Sequence, residues 1–453
     1  MKKQIFVVLS FFLCISAGEA FSQRSAVKPN PEITKMMKEV SAKNIEATIR
    51  KLVSFGTRNT LSEQENPTRG VGAARDWLFS EFSKISTDCG GCLMVEKQAF
   101  VQPKANRIPE PVTLTNIVAT LKGTTDPTRI YVVSGHYDSM CNLNAMDAKC
   151  DAPGANDDAS GTAVSLELAR VMSKRKFDAT IIFMTVPGEE QGLLGATYFA
   201  KQAAEKKMNI EAMFTNDIIG GVTSYKDAPD RQTIRVFAEG VPSNETAAEA
   251  NTRRSVGGEN DSASRQLGRY IKEMADRYST KFGVTLVYRR DRYGRGGDHI
   301  PFLEAGFPAV RFTEPHEDYT HQHQSVKMVD GKQYGDLPEF VDFEYVANAA
   351  RINLIALANL ALAPAKPKNV SISTTRLTND TDFKWDANTD ADLAGYEIVW
   401  RDTTSPYWTN SVSVGNVTSY TFKEMSKDNY FFGVRAVDKD GNRSPVAYPR
   451  PVR

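Results

Sequence analysis

Short apolar and β-branched runs alternating with helix-patterned stretches constrain this chain more than any other feature. Arg129–Ser134, Ala179–Val186, Ala212–Thr215, Thr233–Phe237 and Ala309–Thr313 read as buried strands. Between them, Ala159–Ser173, Leu193–Lys206 and the longer Ser262–Phe282 carry helical patterns. Helical spacing also runs from Pro31 to Phe55, over 72–85 with Ala74, Trp77, Leu78 and Phe82 on one face, and over Phe343–Leu362. The alternation predicts an α/β fold with a mostly parallel or mixed central sheet flanked by helices. At 453 residues the chain has room for more than one domain, at about 100–200 residues each.

The texture changes at Ala363-Pro364-Ala365-Lys366-Pro367. Beyond this linker Val370 and Ile372, Phe383 and Trp385, Tyr396, Ile398 and Trp400, and Tyr430, Phe432 and Val434 alternate at period two. Asp440-Gly441-Asn442 marks one of the turns between them. Short alternating strands predict an all-β sandwich over 366–453. With Trp385 as core tryptophan and Tyr430 where a tyrosine corner falls, the segment resembles a fibronectin type III module. That resemblance implies spacing, tethering or weak binding rather than catalysis.

The N-terminus has its own logic. Lys2 and Lys3 precede an apolar run from Ile5 to Ile15, followed by Ser16, Ala17, Gly18, Glu19 and Ala20. This pattern predicts a secretory signal over 1–20, cut after Ala20, with the catalytic domain occupying 21–362. The run is about half the length needed to span a bilayer, so an exported protein without a membrane span is expected, periplasmic or extracellular. Cys89, Cys92, Cys141 and Cys150 then read as structural disulfides, the simplest pairing being two local loops, although other pairings are open. Lys plus Arg is 56 and Asp plus Glu is 55, a balance that offers no footprint for nucleic acid or anionic membrane.

Five short motifs at strand ends carry the chemistry. His136 in Gly135-His136-Tyr137-Asp138-Ser139 is placed as an imidazole ligand, and Asp138 could accept its other ring N–H. Gly154-Ala155-Asn156-Asp157-Asp158 leads into a helix, where a carboxylate can cap the helix or bridge two cations. Glu189 and Glu190 in Pro187-Gly188-Glu189-Glu190 pair two acids at the mouth of a sheet, one a ligand and its neighbour a handler of protons. Asp217 ends an apolar strand where an unpaired charge is expensive. The fifth motif, Asp318-Tyr319-Thr320-His321-Gln322-His323, holds two imidazoles. Imidazoles with carboxylates suit zinc rather than calcium or copper, and strand carboxyl ends are where open α/β sheets bind ligands.

In this order the motifs resemble the co-catalytic dizinc aminopeptidase family of the MH metallopeptidase clan, over roughly residues 40–362. The resemblance implies two zinc ions per chain. His136 and Asp217 would hold one, Glu190 and His321 the other, with Asp157 bridging. Glu189 would be the general base, with Asp138 behind His136. The implied reaction removes N-terminal residues from peptides with a free N-terminus, using a water acidified between the ions. Two departures stand out: Ser325 falls where the family has Asp, and His323 rivals His321. Asp298-His299 resembles a scaffold segment of the family, and Tyr293 lies one residue from where some relatives carry a carbonyl-polarising tyrosine. A carboxypeptidase or glutaminyl-cyclase branch of the superfamily is the alternative. Arg289, Arg290, Arg292 and Arg295 are the cations a C-terminal carboxylate would need, unless they form a solvated surface run. A non-catalytic adhesion protein is the remaining reading.

Overall fold

Ser41 splits the first helical pattern in two. Its hydroxyl accepts the Asn44 N–H at 3.2 Å, so α1 (Pro31–Glu39) ends and α2 (Ala42–Val53) begins with a side-chain cap. The computed structural model describes residues 28–222, 230–278 and 281–453, so the expected signal lies outside it. The chain continues through α3 (Gly70–Asp88), β1 (Leu93–Gln102), β2 (Val112–Leu121), β3 (Asp126–His136), α4 (Ala159–Met172), β4 (Ala179–Val186), α5 (Leu194–Glu205) and β5 (Asn209–Asn216). Next come β6 (Thr233–Phe237), α6 (Ala247–Val256), α7 (Ala263–Arg277), β7 (Gly283–Val287), α8 (His299–Glu304) and β8 (Ala309–Thr313). A hairpin of β9 (Lys327–Val329) and β10 (Lys332–Tyr334) precedes α9 (Phe343–Leu362).

Eight strands form one sheet in the order β1-β2-β4-β3-β5-β8-β6-β7. β4, β3, β5 and β8 run parallel, so their carboxyl ends emerge along one edge. β1 and β2 extend the sheet antiparallel, and β6 turns against β8, so the sheet is mixed. The α1, α2, α3, α4, α7 and α9 helices cover one face; α5 and α8 cover the other. α9 is long and apolar enough to cross a membrane, but 83% of its apolar window is buried here as a core helix. Of the eight, β7 and the pair β1 and β2 were not among the expected strands. β1 is a largely exposed edge strand, and β2 buries Thr115 and Asn116 among its apolar residues, so neither shows a clean apolar run.

Beyond the linker, β11 (Ser371–Ser373), β12 (Thr381–Lys384), β13 (Leu393–Asp402), β14 (Asn410–Gly415), β15 (Ser419–Phe422), β16 (Tyr430–Asp438) and β17 (Arg450–Val452) form two sheets. Their orders are β15-β12-β11-β17 and β14-β13-β16, and Phe383, Trp385, Ile398, Trp400 and Phe432 fill the space between. The hydroxyl that ties back to the chain belongs to Tyr396, which accepts the Asn388 N–H at 2.7 Å. Tyr430, expected in that role, is only partly buried and packs on Phe432.

The sandwich does not hang free. Asp261, just before α7, pairs with Arg269 at 2.7 Å and with Arg401 of β13 at 2.7 Å, all three buried. Trp408 donates its indole N–H to Gln266 of α7 at 2.9 Å, and Arg435 of β16 pairs with Glu273 at 3.0 Å.

Glu397 provides a pH test of this half of the molecule. Arg435 at 2.8 Å and Arg443 at 2.6 Å overcome the penalty of burial and hold its carboxyl down at about 2, against an ordinary 4.5. A depressed acid contributes stability above its unfolded pKa and loses it as pH falls. The free energy of unfolding should therefore drop between about pH 4.5 and 2 by an amount on the order of 3 kcal/mol. Glu397→Gln should lack that share at neutral pH and show a flatter acid limb in denaturant titrations.

Candidate metal centre

Two glycines let α4 pack tightly against the strands that end in acids. A Cβ on Gly135 would lie 2.3 Å from the Gly161 carbonyl carbon, and one on Gly161 would lie 2.0 Å from the Asn216 carbonyl oxygen. This close approach brings the α4 start beside the ends of β3 and β5. There the adjacent aspartates divide their work. Asp158 caps α4 by accepting the Gly161 N–H at 2.9 Å, and its other oxygen accepts the His136 N–H at 2.9 Å. Asp157 is left to face inward. The buried Asp336 carboxylate accepts the N–H of Asn156 and, at 2.7 Å, that of Asp157.

The two oxygens of Asp157 face different imidazoles. Oδ1 lies 3.1 Å from His136 Nε2, and Oδ2 lies 2.8 Å from His323 Nε2. His323 Nε2 is also 3.1 Å from Glu190 Oε1, while His136 Nε2 is 3.8 Å from Asp217 Oδ1. Two groups of potential ligands result: His136 with Glu189 and Asp217, and Asp157 with Glu190 and His323. Asp138 ties the motifs together. Its carboxylate accepts the N–H groups of Glu189 and Glu190 at 3.3 and 3.2 Å and the Thr60 hydroxyl at 3.1 Å, and it lies 3.3 Å from His136 Nδ1. Arg311, fully buried, meets Asp217 Oδ2 at 2.9 Å. The backbone also bends here: Ile218 and His323 hold φ of 61° and 56°, a left-handed conformation that is strained for both.

The donor set fits a cation. His136 Nε2 and Glu190 Oε1 are buried and make no hydrogen bond, although Asp157 Oδ1 and His323 Nε2 respectively stand 3.1 Å away. Groups that converge without pairing are what metal ligands look like, and imidazole with carboxylate suits zinc. The electrostatics agree. Burial pushes the Glu189 carboxyl well above the ordinary range, helped by Asp217 and Glu190. Burial would lower His323, but Glu190 and Asp157 outweigh it and raise the imidazole to about 11. His136 is likewise raised well above its ordinary value by Asp138, Asp157 and Asp217 against its burial. The direction of these shifts shows that the site demands positive charge.

His136, Asp138, Asp157, Glu189, Glu190 and Asp217 thus come together as expected. His321 does not. Its ring stacks on Phe340 with centroids 3.7 Å apart, and Nδ1 faces Asp318 at 3.5 Å. The turn opened by the Asp318 carbonyl accepting the His321 and Gln322 N–H groups directs His321 away from the acids onto Phe340, and His323 faces them instead. Tyr293 is 85% exposed beneath the Arg289 guanidinium, outside the cluster. Each of the four arginines has a partner: Arg289 has Tyr293, Arg290 has Glu304, and Arg292 and Arg295 share Glu317. His299 is scaffold, its Nε2 2.8 Å from the Arg290 carbonyl. Sequence reasoning missed Arg311, Asp336 and Gln322, whose amide donates to Asp157 Oδ2 at 2.9 Å. Arg311 sat in plain view inside an expected strand, where a buried cation calls for an acid.

The two histidines give a direct test. His323→Ala should weaken metal binding by more than about 100-fold, the upper end of what losing even an outer partner costs. His321→Ala should leave the affinity unchanged. Competition with a chromogenic chelator measures both.

Known proteins match this arrangement. The profile described as peptidase family M28 matches residues 116–334. A probable zinc metalloprotease of Leptosphaeria maculans is 50% identical over 423 residues, covering 93% of this chain and 98% of that protein. One from Pyrenophora tritici-repentis is 49% identical over 425 residues, covering 93% and 88%. Among solved structures, LapB from Legionella pneumophila superposes with a TM-score of 0.51 at 20% identity, covering 76% of this chain and 79% of that one. The aminopeptidase from Aneurinibacillus sp. strain AM-1 does so with 0.50 at 17% identity, covering 73% and 96%. These two likenesses show the fold. With half its residues shared with zinc metalloproteases across nearly their whole length, the chain belongs to peptidase family M28 and is a zinc metalloprotease.

Proposed function

We propose that this metalloprotease is an aminopeptidase with two zinc ions per chain. The observation that carries the dinuclear reading is Asp157, whose oxygens face His136 and His323 separately. His136 and Asp217 are the ligands on one side, Glu190 and His323 on the other. Bound zinc supplies polarisation of the scissile carbonyl and acidification of a water. Glu189 would serve as the general base, accepting a proton from the attacking water and delivering it to the leaving amine. Its raised pKa suits a group that must also release the proton. Asp138 keeps the His136 ring oriented and holds the Glu189 and Glu190 backbone in place.

The arginines of 289–295 are engaged with acids or an aromatic ring rather than poised for a C-terminus. The aminopeptidase named among the structural likenesses is in keeping with this reading. We include export in it: the Cys89–Cys92 and Cys141–Cys150 disulfides support an oxidising compartment. The fibronectin type III likeness of 366–453 supports a supporting role for the sandwich.

Free and N-acetylated peptides separate this reading from its rivals: acetylation should abolish release, and equal cleavage of both would rule out aminopeptidase action. Glu189→Gln should keep both zinc ions by elemental analysis while turnover falls about 10²–10⁴-fold, the range for a lost general base. Metal loss in Glu189→Gln with metal kept in Glu190→Gln would exchange the two roles.

A further inference from the structure

The segment between Cys141 and Cys150 forms no helix or strand, yet it touches the two loops that carry Glu190 and His323. The Leu143 N–H donates to the His323 carbonyl at 3.0 Å, and Ser325 donates its hydroxyl to Asn142 Oδ1 at 2.6 Å. The Gln191 amide, next to Glu190, donates to the Ala145 carbonyl at 2.8 Å, and Asn59 donates to the same oxygen at 3.0 Å. One loop therefore grips the chain at His323 and just after it, and directly after Glu190.

Its backbone is not relaxed. Asn142 and Leu143 have φ of 58° and 51°, facing His323 at 56°. A left-handed Leu and His are unfavourable and persist only where the surroundings fix them. Around them the loop is closed covalently between cysteines nine positions apart. An open loop would have to lose more conformational entropy to keep the same contacts. His136 needs no such help, because β3 and the capped start of α4 hold it.

We propose that the Cys141–Cys150 loop is a positioning clamp for the Asp157/Glu190/His323 metal site, setting His323 against Glu190 so that this site binds its metal tightly. The proposal rests on the reading of Glu190 and His323 as ligands. It makes the disulfide part of the metal site rather than a general staple, and it makes the two sites unequal in their dependence on it.

The test is zinc titration of the full chain against a chromogenic chelator, with circular dichroism to report folding. Wild type should take up two equivalents. Cys141→Ser/Cys150→Ser should keep one affinity and bind the other zinc about 10–100-fold more weakly, the usual effect of losing an outer support. Asn142→Ala/Ser325→Ala, which leaves the disulfide intact, should move the same site in the same direction, and it decides the matter if the cysteine variant does not fold. Cys89→Ser/Cys92→Ser, at the end of α3, should change neither affinity. Unchanged affinities in both loop variants would overturn the clamp, as would equal losses at both sites or the same loss in the Cys89→Ser/Cys92→Ser control. If wild type bound fewer than two equivalents, or His323→Ala left both affinities intact, the ligand reading itself would fall and the clamp with it.

Discussion

Four carboxylates gathered at the carboxyl edge of one sheet, with little positive charge to answer them, are what the rest of the structure is arranged around. Asp157, Asp217, Glu189 and Glu190 would repel one another strongly in a low-dielectric cleft if all were ionised without counter-charge. Arg311 answers part of Asp217, and the two imidazoles answer part of the rest. The remaining demand is met by divalent metal in a zinc metalloprotease. The same surplus of acids is what raises the pKa of both imidazoles.

Holding such a cluster requires rigid supports with their own polar groups satisfied. Asp138 does this from one side, spending its oxygens on two peptide N–H groups and a hydroxyl while facing His136. Asp336 does it from another, accepting the peptide N–H groups of Asn156 and Asp157. Burial pushes the Asp336 carboxyl up to about 7, against the help of those hydrogen bonds. Gly135 and Gly161 allow the helix and strands to approach closely enough for these contacts. Each support comes from a different stretch of chain, so the site depends on the whole α/β unit.

The sandwich enters this picture through α7. Asp261 satisfies two buried guanidinium groups at once, one from each side of the junction. Removing one partner from such a set leaves buried charge uncompensated, which is far more damaging than removing a surface pair. The β-sandwich is therefore packed on the metalloprotease unit rather than strung beside it, although its strands contribute no group to the metal cluster among the described residues.

Strand runs, helix spacing and strand-end motifs were legible from the sequence because they are local. Apolar periodicity dictates which face is buried, and a Glu-Glu or Asp-Asp at the end of a buried run announces a charge that must be met. That reasoning reached His136, Asp138, Asp157, Glu189, Glu190 and Asp217 and the break into a second, all-β unit. It could not choose between His321 and His323. Two residues apart in one turn, they differ only in where the backbone points them, and that is set by a left-handed His323 held by the Leu143 N–H from a distant loop. Nor could it find Asp336, Thr60 or Gln322, which sit in loops without periodicity and gain their roles only through contacts across long stretches of chain. Local sequence determined the elements and most of the charges; long-range packing decided which imidazole faces the acids, because direction in a loop is a property of its neighbours in space.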